Sequence, residues 1–144
     1  MPTDRLTPDQ IETLHQHAND AAQNSYSPYS HFRVGAAILL EADDRQFGAI
    51  VAGTNVENAS YRLTSCAEQA AIAAAVTLYG PAIRIRAVAV ANLNAAASMP
   101  CGACRQTILE FSTPDTVVFY PNAAGETVST TLAALLPAAF RLNS

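Results

Sequence analysis

Three cysteines and a glutamate are the residues of this chain best suited to chemistry. Cys101 and Cys104 form a C-x-x-C pair, and Glu68 lies two positions after Cys66. A C-x-x-C pair that opens a helix places two sulfurs one turn apart and facing the same point, which suits tetrahedral zinc. Cys66 also lies where a helix is expected to begin. If the two helix starts converge, three thiolates bind one metal ion and leave a fourth position for water, as in catalytic rather than structural zinc sites.

Glu68 suits the second requirement of such a site. In the first turn of its helix, the carboxylate lies beside the metal without having to bind it. It can therefore accept a proton from a bound water and return it elsewhere. The amides at the helix N-termini and the positive end of the helix dipole favour thiolates over thiols.

The cysteines also permit other interpretations. They are compatible with small buried apolar side chains, with a redox pair, or with a structural zinc ion that takes His31 as its fourth ligand. The C-x-E sequence upstream, together with Pro100 directly before the pair, favours the catalytic zinc site. His15 and His17 lie in the first predicted helix and need no role beyond a surface position.

Composition excludes several other activities. The chain has 144 residues, which suits a single domain over residues 1–144. All eight basic residues are arginine, so pyridoxal Schiff bases, phosphate-loop lysines and amine nucleophiles are excluded. A net charge of −4 without a basic run argues against a nucleic-acid or anionic-membrane surface. Three cysteines cannot complete a disulfide framework, and no targeting segment is apparent, so we expect a soluble, cytoplasmic protein.

Helices and strands that alternate along the chain must position these residues. Thr7 begins a capping box for a first helix, which ends before the loop that starts at Tyr26. Apolar runs predict strands at Val34–Leu40, Ala49–Val56 (a hairpin across Glu41–Arg45), Ile85–Leu93 and Thr116–Tyr120, and a fifth strand around Val128. Further helices are predicted from near Ser65 to Gly80, from Cys101 to Phe111, and from a cap at Thr130 or Thr131 through Leu132, Leu135 and Leu136 toward Pro137. The fold class is therefore α/β: a three-layer α/β/α sandwich with a mixed, roughly five-stranded sheet.

At these positions the chain resembles the zinc-dependent cytidine deaminase family, whose pattern combines a C-x-E or H-x-E sequence with P-C-x-x-C. The resemblance runs through nearly the whole chain in the family's order, and it is similar in particular to the small homotetrameric nucleoside-type branch. The segments that carry it are residues 27–32, 34–37, 55–61, 66–68, 100–106 and 135–140.

The resemblance implies one zinc ion per chain, bound by Cys66, Cys101 and Cys104, with Glu68 moving protons. An activated water would attack C4 of cytosine, while Glu68 passes protons to N3 and then to the departing amine. Cytidine or deoxycytidine would thus become uridine or deoxyuridine and ammonia, a reaction of pyrimidine salvage. The partner would be a small pyrimidine nucleoside, not a nucleic acid or a membrane.

A set of substrate-binding residues is also implied by the resemblance. Asn55 and Glu57 would hydrogen-bond the ribose hydroxyls, and Phe32 would stack on the pyrimidine. The backbone of Ala67 would contact the base carbonyl. Three further aromatic residues would help to close the site, some of them from a neighbouring subunit of a homotetramer: Tyr29, Tyr61 and Phe140.

Two positions and one loop depart from the family pattern. Gln69 stands where many relatives have arginine, which leaves Arg105 and the helix amides as the expected partners of the sulfurs. Because three thiolates give the zinc site a net charge of about −1, Gln69 is expected to make the bound water slightly harder to deprotonate. Met99 replaces a serine often found before Pro-Cys and reshapes the wall near the exocyclic amine. The hairpin over residues 41–53 is a few residues longer than usual.

Two alternatives to cytidine deamination remain at this point. The first is a deaminase of modified or N4-substituted cytosine nucleosides, or of a cytosine nucleoside antibiotic such as blasticidin S. The second, from a different class, is a non-catalytic zinc-binding module, which would hold its metal with four ligands.

Overall fold

A computed structural model describes residues 6–41 and 48–142 of the chain. They form four α-helices and five strands, and a 3₁₀ turn spans Tyr61–Leu63. In chain order the elements are α1 (Pro8–Ala22), β1 (Val34–Leu40), β2 (Ile50–Thr54), α2 (Ala67–Tyr79), β3 (Ile85–Asn92), α3 (Gly102–Glu110), β4 (Ser112–Pro121), β5 (Thr127–Thr131) and α4 (Leu132–Leu135).

The strands form one mixed sheet in the order β2-β1-β3-β4-β5. Strand β1 runs antiparallel to both β2 and β3, whereas β3 and β4 are parallel and β5 returns antiparallel to β4. The parallel pair requires a crossover between β3 and β4, and α3 lies in that crossover. The predicted mixed, five-stranded sheet is confirmed.

Helices cover both faces of the sheet. On one face, Leu14 and Ala18 of α1 pack with Leu39 and other buried strand residues. On the opposite face, Ile72 of α2 and Ile108 of α3 share a second core with the sheet and α4. Buried on both sides, β1 and β3 are almost wholly apolar, which explains their continuous hydrophobic runs. The structure is the predicted α/β/α sandwich.

Glycine at position 53 allows α2 to lie close to the sheet. A Cβ atom built there would be 2.5 Å from the backbone nitrogen of Ala71 and 2.9 Å from the carbonyl oxygen of Ala67. Gly35 has the same function under α1, where an added Cβ would be 2.0 Å from the carbonyl oxygen of Ala18. These close approaches fix the height of both helices above the strands.

Most predicted element boundaries lie within a few residues of the observed ones. The predicted second helix runs from its cap at Cys66 to Gly80, where a φ of 90° ends it. Strand β4 starts at Ser112 rather than Thr116, because Ser112 already pairs with Ile85 across an irregular register. The buried Thr116 hydroxyl donates to the Ile85 carbonyl there. Residues 42–45 of the predicted hairpin turn lie outside the described residues.

Candidate active site

The three cysteines meet at the N-termini of two helices. Cys66 is the N-cap of α2 and Cys101 is the N-cap of α3, while Cys104 lies in the first turn of α3. Their sulfur atoms all lie within 4.8 Å of one another. The prediction that the two helix starts converge is therefore confirmed.

The arrangement suits zinc, with three thiolate ligands and room for one more. Zn–S bonds of about 2.3 Å in a tetrahedron correspond to sulfur–sulfur separations of about 3.8 Å, so only a small contraction of the cluster is needed. In the part of the chain that the structure describes, the group able to hold a metal consists of Cys66, Cys101 and Cys104, and His31 is not part of it. A three-ligand set is typical of catalytic zinc and leaves a coordination position for water.

The crowding of the sulfurs changes their acidity. A hydrogen bond from the Cys104 thiol lowers the pKa of Cys66 to about 7. In return, that hydrogen bond, burial and the charge of Glu68 raise the pKa of Cys104. One of these two sulfurs is thus readily a thiolate while the other keeps its proton. Metal binding by all three must release protons, so it favours higher pH.

Glu68 lies in the first turn of α2, beside the cysteines, and is 5% exposed. Burial raises the pKa of its carboxyl group above the ordinary value for glutamate. A buried carboxyl group with a raised pKa is a better proton acceptor than an exposed one and can also return the proton. The residue is therefore suited to move protons next to a metal-bound water.

A cavity of about 190 Å³ opens directly in front of these residues. Phe32, Val34 and Val90 give it apolar walls, and Met99 and Cys101 also line it. The remaining lining residues are Asn55, Thr64, Cys66, Ala67, Glu68, Ser98 and Cys104. Seven of the predicted site residues therefore line one cavity: Phe32, Asn55, Cys66, Ala67, Glu68, Cys101 and Cys104.

Asn55 is buried, and most of its hydrogen-bonding capacity serves the scaffold. Its Oδ1 atom accepts from the Ser25 hydroxyl and, at 3.1 Å, from the Val34 amide. Its Nδ2 atom donates to the Phe32 carbonyl at 2.7 Å. One Nδ2 proton remains, so Asn55 can act toward a ligand in this cavity as a donor.

Glu57 lies in a neighbouring cavity whose lining also includes Tyr29, Ser30, Tyr61 and Thr64, the last shared with the first cavity. Its Oε1 atom accepts from the backbone amides of Tyr29 and Ser30 at 3.0 and 3.2 Å. Its Oε2 atom accepts a hydrogen bond from the Ser30 hydroxyl, which lowers the pKa of Glu57. The carboxylate is thus held ionised with acceptor capacity remaining on Oε2.

The remaining predicted site residues, Arg105, Phe140 and Gln69, are not among the residues that line either cavity. The Arg105 guanidinium donates to the Pro100 and Leu135 carbonyls at 2.9 and 2.8 Å and contacts Met99 Sδ. Its expected role in compensating the thiolates stays a prediction. Phe140 is 70% exposed, and Gln69 is half-buried on α2.

Sequence reasoning missed the residues that hold the loop around Phe32. The Phe32 backbone N–H donates to Ser30 Oγ at 3.0 Å. Asn94, from a distant loop, forms hydrogen bonds with the backbone of the residues before and after Phe32. A weak signal exists for Asn94, a polar residue just after the apolar strand β3. Nothing in the local pattern indicates which backbone groups it contacts.

Comparisons with known proteins agree with this site. The family model for the cytidine and deoxycytidylate deaminase zinc-binding region matches residues 8–120. The cytidine deaminase of Halalkalibacterium halodurans is 40% identical over 130 residues, which cover 90% of this chain and 92% of that protein. The cytidine deaminase of Mycobacterium tuberculosis is 41% identical over 130 residues, or 90% of this chain and 89% of that protein.

Solved structures show the same similarity. The crystal structure of cytidine deaminase from Mycobacterium tuberculosis aligns with a TM-score of 0.76 at 39% identity, over 92% of this chain and 98% of the other. The cytidine deaminase from Burkholderia pseudomallei aligns with a TM-score of 0.77 at 37% identity, over 94% and 100% of the two chains.

Proposed function

This chain belongs to the zinc-dependent cytidine deaminase family, and from that premise we propose that Glu68 is its catalytic residue in the hydrolysis of cytidine to uridine and ammonia. Cys66, Cys101 and Cys104 hold the zinc ion. The observation that carries the proposal is the convergence of three cysteine sulfurs within 4.8 Å beside a buried carboxyl group in one cavity.

Zinc, when bound by the three thiolates, supplies a Lewis acid that makes a water molecule nucleophilic near neutral pH. Glu68 accepts the first proton that the water loses and gives it to N3 of the pyrimidine as C4 is attacked. It then moves the second proton to the amine at C4, which leaves as ammonia. The two transfers balance the conversion of cytidine and water into uridine and ammonia.

The cavity walls orient the base for this attack. Phe32 offers a flat face on which the pyrimidine stacks, and the apolar side chains of Val34 and Val90 exclude water around it. The backbone of Ala67 contacts the base carbonyl. Because the cavity walls are mostly apolar, the interactions of Glu68 with developing charge are stronger there than in water.

Ribose recognition falls to Asn55 and Glu57. The free Nδ2 proton of Asn55 donates to a ribose hydroxyl, and the remaining acceptor capacity of the Glu57 carboxylate receives a hydroxyl proton. A donor and an acceptor together suit a hydroxyl group, which both gives and accepts a hydrogen bond. Cytidine and deoxycytidine are therefore the expected substrates, as in pyrimidine salvage.

A homotetramer with shared sites accounts for apolar side chains that this chain leaves uncovered. Leu78 on the outer side of α2 is 65% exposed, and Tyr61 and Phe140 are 78% and 70% exposed. Tyr29 and Tyr61, whose ring centroids lie 6.5 Å apart, help to close the ribose end. Light scattering after size exclusion is expected to give four times the chain mass. A monomer that is fully active would contradict the shared sites.

The proposed setting is the cytoplasm, with a nucleoside and not a nucleic acid as partner. The net charge of −4 disfavours a polyanion. Among the described residues, no helix is long and apolar enough to cross a membrane.

Zinc content and ammonia release test the proposed function together. The purified protein is expected to hold one zinc per chain and to release ammonia from cytidine and deoxycytidine. Cytosine, which lacks the ribose that Asn55 and Glu57 bind, should react far more slowly, and cytidine monophosphate tests whether a 5′-phosphate is tolerated. Zinc binding without turnover of any of these compounds would favour the non-catalytic module instead.

A further inference from the structure

Asn94 holds the peptide bonds on either side of Phe32. Its Nδ2 atom donates to the His31 carbonyl at 2.8 Å, and its Oδ1 atom accepts from the Arg33 amide at 2.8 Å. One side-chain amide therefore pairs with two backbone groups that flank a single residue, much as a neighbouring strand would. The backbone at Phe32 cannot shift without breaking one of these hydrogen bonds.

The backbone conformation of this loop needs such support. His31 has a φ of 59°, in the left-handed region that residues other than glycine rarely adopt. Residues held there persist when the surrounding contacts over-determine them. The Asn94 hydrogen bond to the His31 carbonyl is one of these contacts, and the His31 amide donates to the Ser27 carbonyl at 2.9 Å as another.

Asn94 is itself fixed to the loop that leads to the cysteine pair. Its backbone N–H donates to Asn92 Oδ1 at 2.6 Å, and Asn92 Nδ2 donates to Ser98 Oγ at 3.1 Å. Ser98 lines the same cavity as Cys101. The hydrogen bonds thus connect the wall beside the metal ligands to the backbone that carries the Phe32 ring.

We propose that Asn94 is a positioning residue, which sets the Phe32 ring at its place in the active-site cavity through the His31 carbonyl and the Arg33 amide. The proposal rests on the proposed stacking of the pyrimidine on Phe32. Asn94 is exposed and is not among the residues that line the cavity, so it acts through the backbone and not by touching substrate.

Kinetics of the Asn94→Ala holoenzyme test this role. The variant is expected to raise KM for cytidine about tenfold with kcat within about twofold, the pattern of lost binding to ground and transition states alike. Zinc content should stay at one per chain. The matched control is Asn122→Ala, because Asn122 Oδ1 also accepts from two backbone amides, those of Ala124 and Glu126, at a turn outside the cavity lining. The control should keep the KM of the original enzyme.

A double-mutant cycle separates this role from a general structural one. The single variant Phe32→Ala should raise KM. The double variant Phe32→Ala/Asn94→Ala should have the same KM as Phe32→Ala. If the two effects multiply instead, or if Asn94→Ala leaves KM unchanged, the positioning role of Asn94 is wrong while the stacking role of Phe32 stands. If Phe32→Ala leaves KM unchanged, the stacking role fails and the proposal fails with it. Phe32→Leu, which keeps apolar bulk without a ring, replaces Phe32→Ala if that variant does not fold.

Discussion

Glu68 combines two properties that are rarely found together, a carboxyl group and almost complete burial. Burial raises the pKa of the group, and its place in the first turn of α2 puts it beside the cysteines without making it a ligand. Substituting it should therefore separate metal binding from catalysis.

Glu68→Gln keeps the size and polarity of the side chain but removes its ability to accept a proton. We expect one zinc per chain and a loss of kcat of about 10²–10⁴-fold, the usual contribution of general acid–base catalysis. Zinc analysis and ammonia release from cytidine measure the two quantities. Glu126→Gln, in the exposed turn before β5, is the matched control and should retain activity. A fully active Glu68→Gln enzyme would show that another group moves the protons.

The residue types of the metal centre could be predicted because their chemistry is local. Helical geometry alone places the two cysteines of the C-x-x-C pair one turn apart on the same side of a helix. It likewise places Glu68 in the first turn after Cys66. The hydrogen bonds of Asn94 join it to Arg33 and His31, which lie 61 and 63 positions earlier in the chain. Such contacts depend on which loops the sheet brings together, so no local pattern predicts them.

The position of α2 depends on a glycine in the strand beneath it. Because the backbone of the helix lies against Gly53, the N-terminus that carries Cys66 is held at a fixed height over the sheet. Because Cys101 and Cys104 belong to a different helix, α3, the distances between the three sulfurs depend on where α2 lies.

Gly53→Ala is expected to destabilise the protein by about 1–3 kcal/mol, because its Cβ meets backbone atoms that cannot move aside independently. Displacement of α2 should also weaken zinc retention. Thermal unfolding at fixed protein and zinc concentration, with metal analysis after dialysis, measures both. For stability the control is Gly102→Ala, where an added Cβ meets open space. Equal melting temperatures for the two variants would show that α2 tolerates displacement.

Helix α1 contributes a pH-dependent contact with the sheet. The ring of His15 meets the ring of Phe119 on β4 edge to face, with 5.4 Å between centroids. This half-buried position differs from the surface role that the sequence suggested. Burial lowers the pKa of His15, so the neutral form is favoured in the folded protein.

The lowered pKa of His15 makes stability depend on pH below the ordinary value of 6.5. Between the folded and unfolded pKa values, the unfolded chain binds more protons, so stability rises with pH through this window and levels off above it. His15→Leu should remove this pH-dependent contribution to stability. The unfolding midpoint of the variant should therefore change less between about pH 5.5 and 7.5 than that of the original protein. Identical pH slopes in the two proteins would contradict the effect of burial on His15.

Element types followed from the sequence more readily than their ends did. The capping box at Thr7 and the apolar run of β1 predicted α1 and β1 with little error, because both signals lie within the element. Strand β4 starts four residues before the predicted Thr116. This early start depends on the pairing of Ser112 with Ile85 of a distant strand, which no local pattern indicates.

For the molecule as a whole, the metal centre is also a cross-link between parts of the sequence. It joins the start of α2 to the start of α3, which follow different strands of the sheet. Without the metal, the sulfurs of Cys66 and Cys104 interact through a thiol hydrogen bond, which replaces the metal–sulfur bonds. Zinc bound by the native state alone therefore contributes to its stability.

Removing zinc should lower the melting temperature of the whole chain in one transition. Ligand linkage gives about 2.7 kcal/mol of stabilisation when free zinc is 100 times its dissociation constant. A chelator such as EDTA should thus destabilise the original protein, whereas Cys101→Ser should begin less stable and respond less to the chelator. Adding zinc back should restore the original midpoint, but magnesium should not, because it prefers oxygen ligands. If the chelator removes zinc and leaves the midpoint unchanged, the two helix starts hold together without the metal, and its role is confined to catalysis.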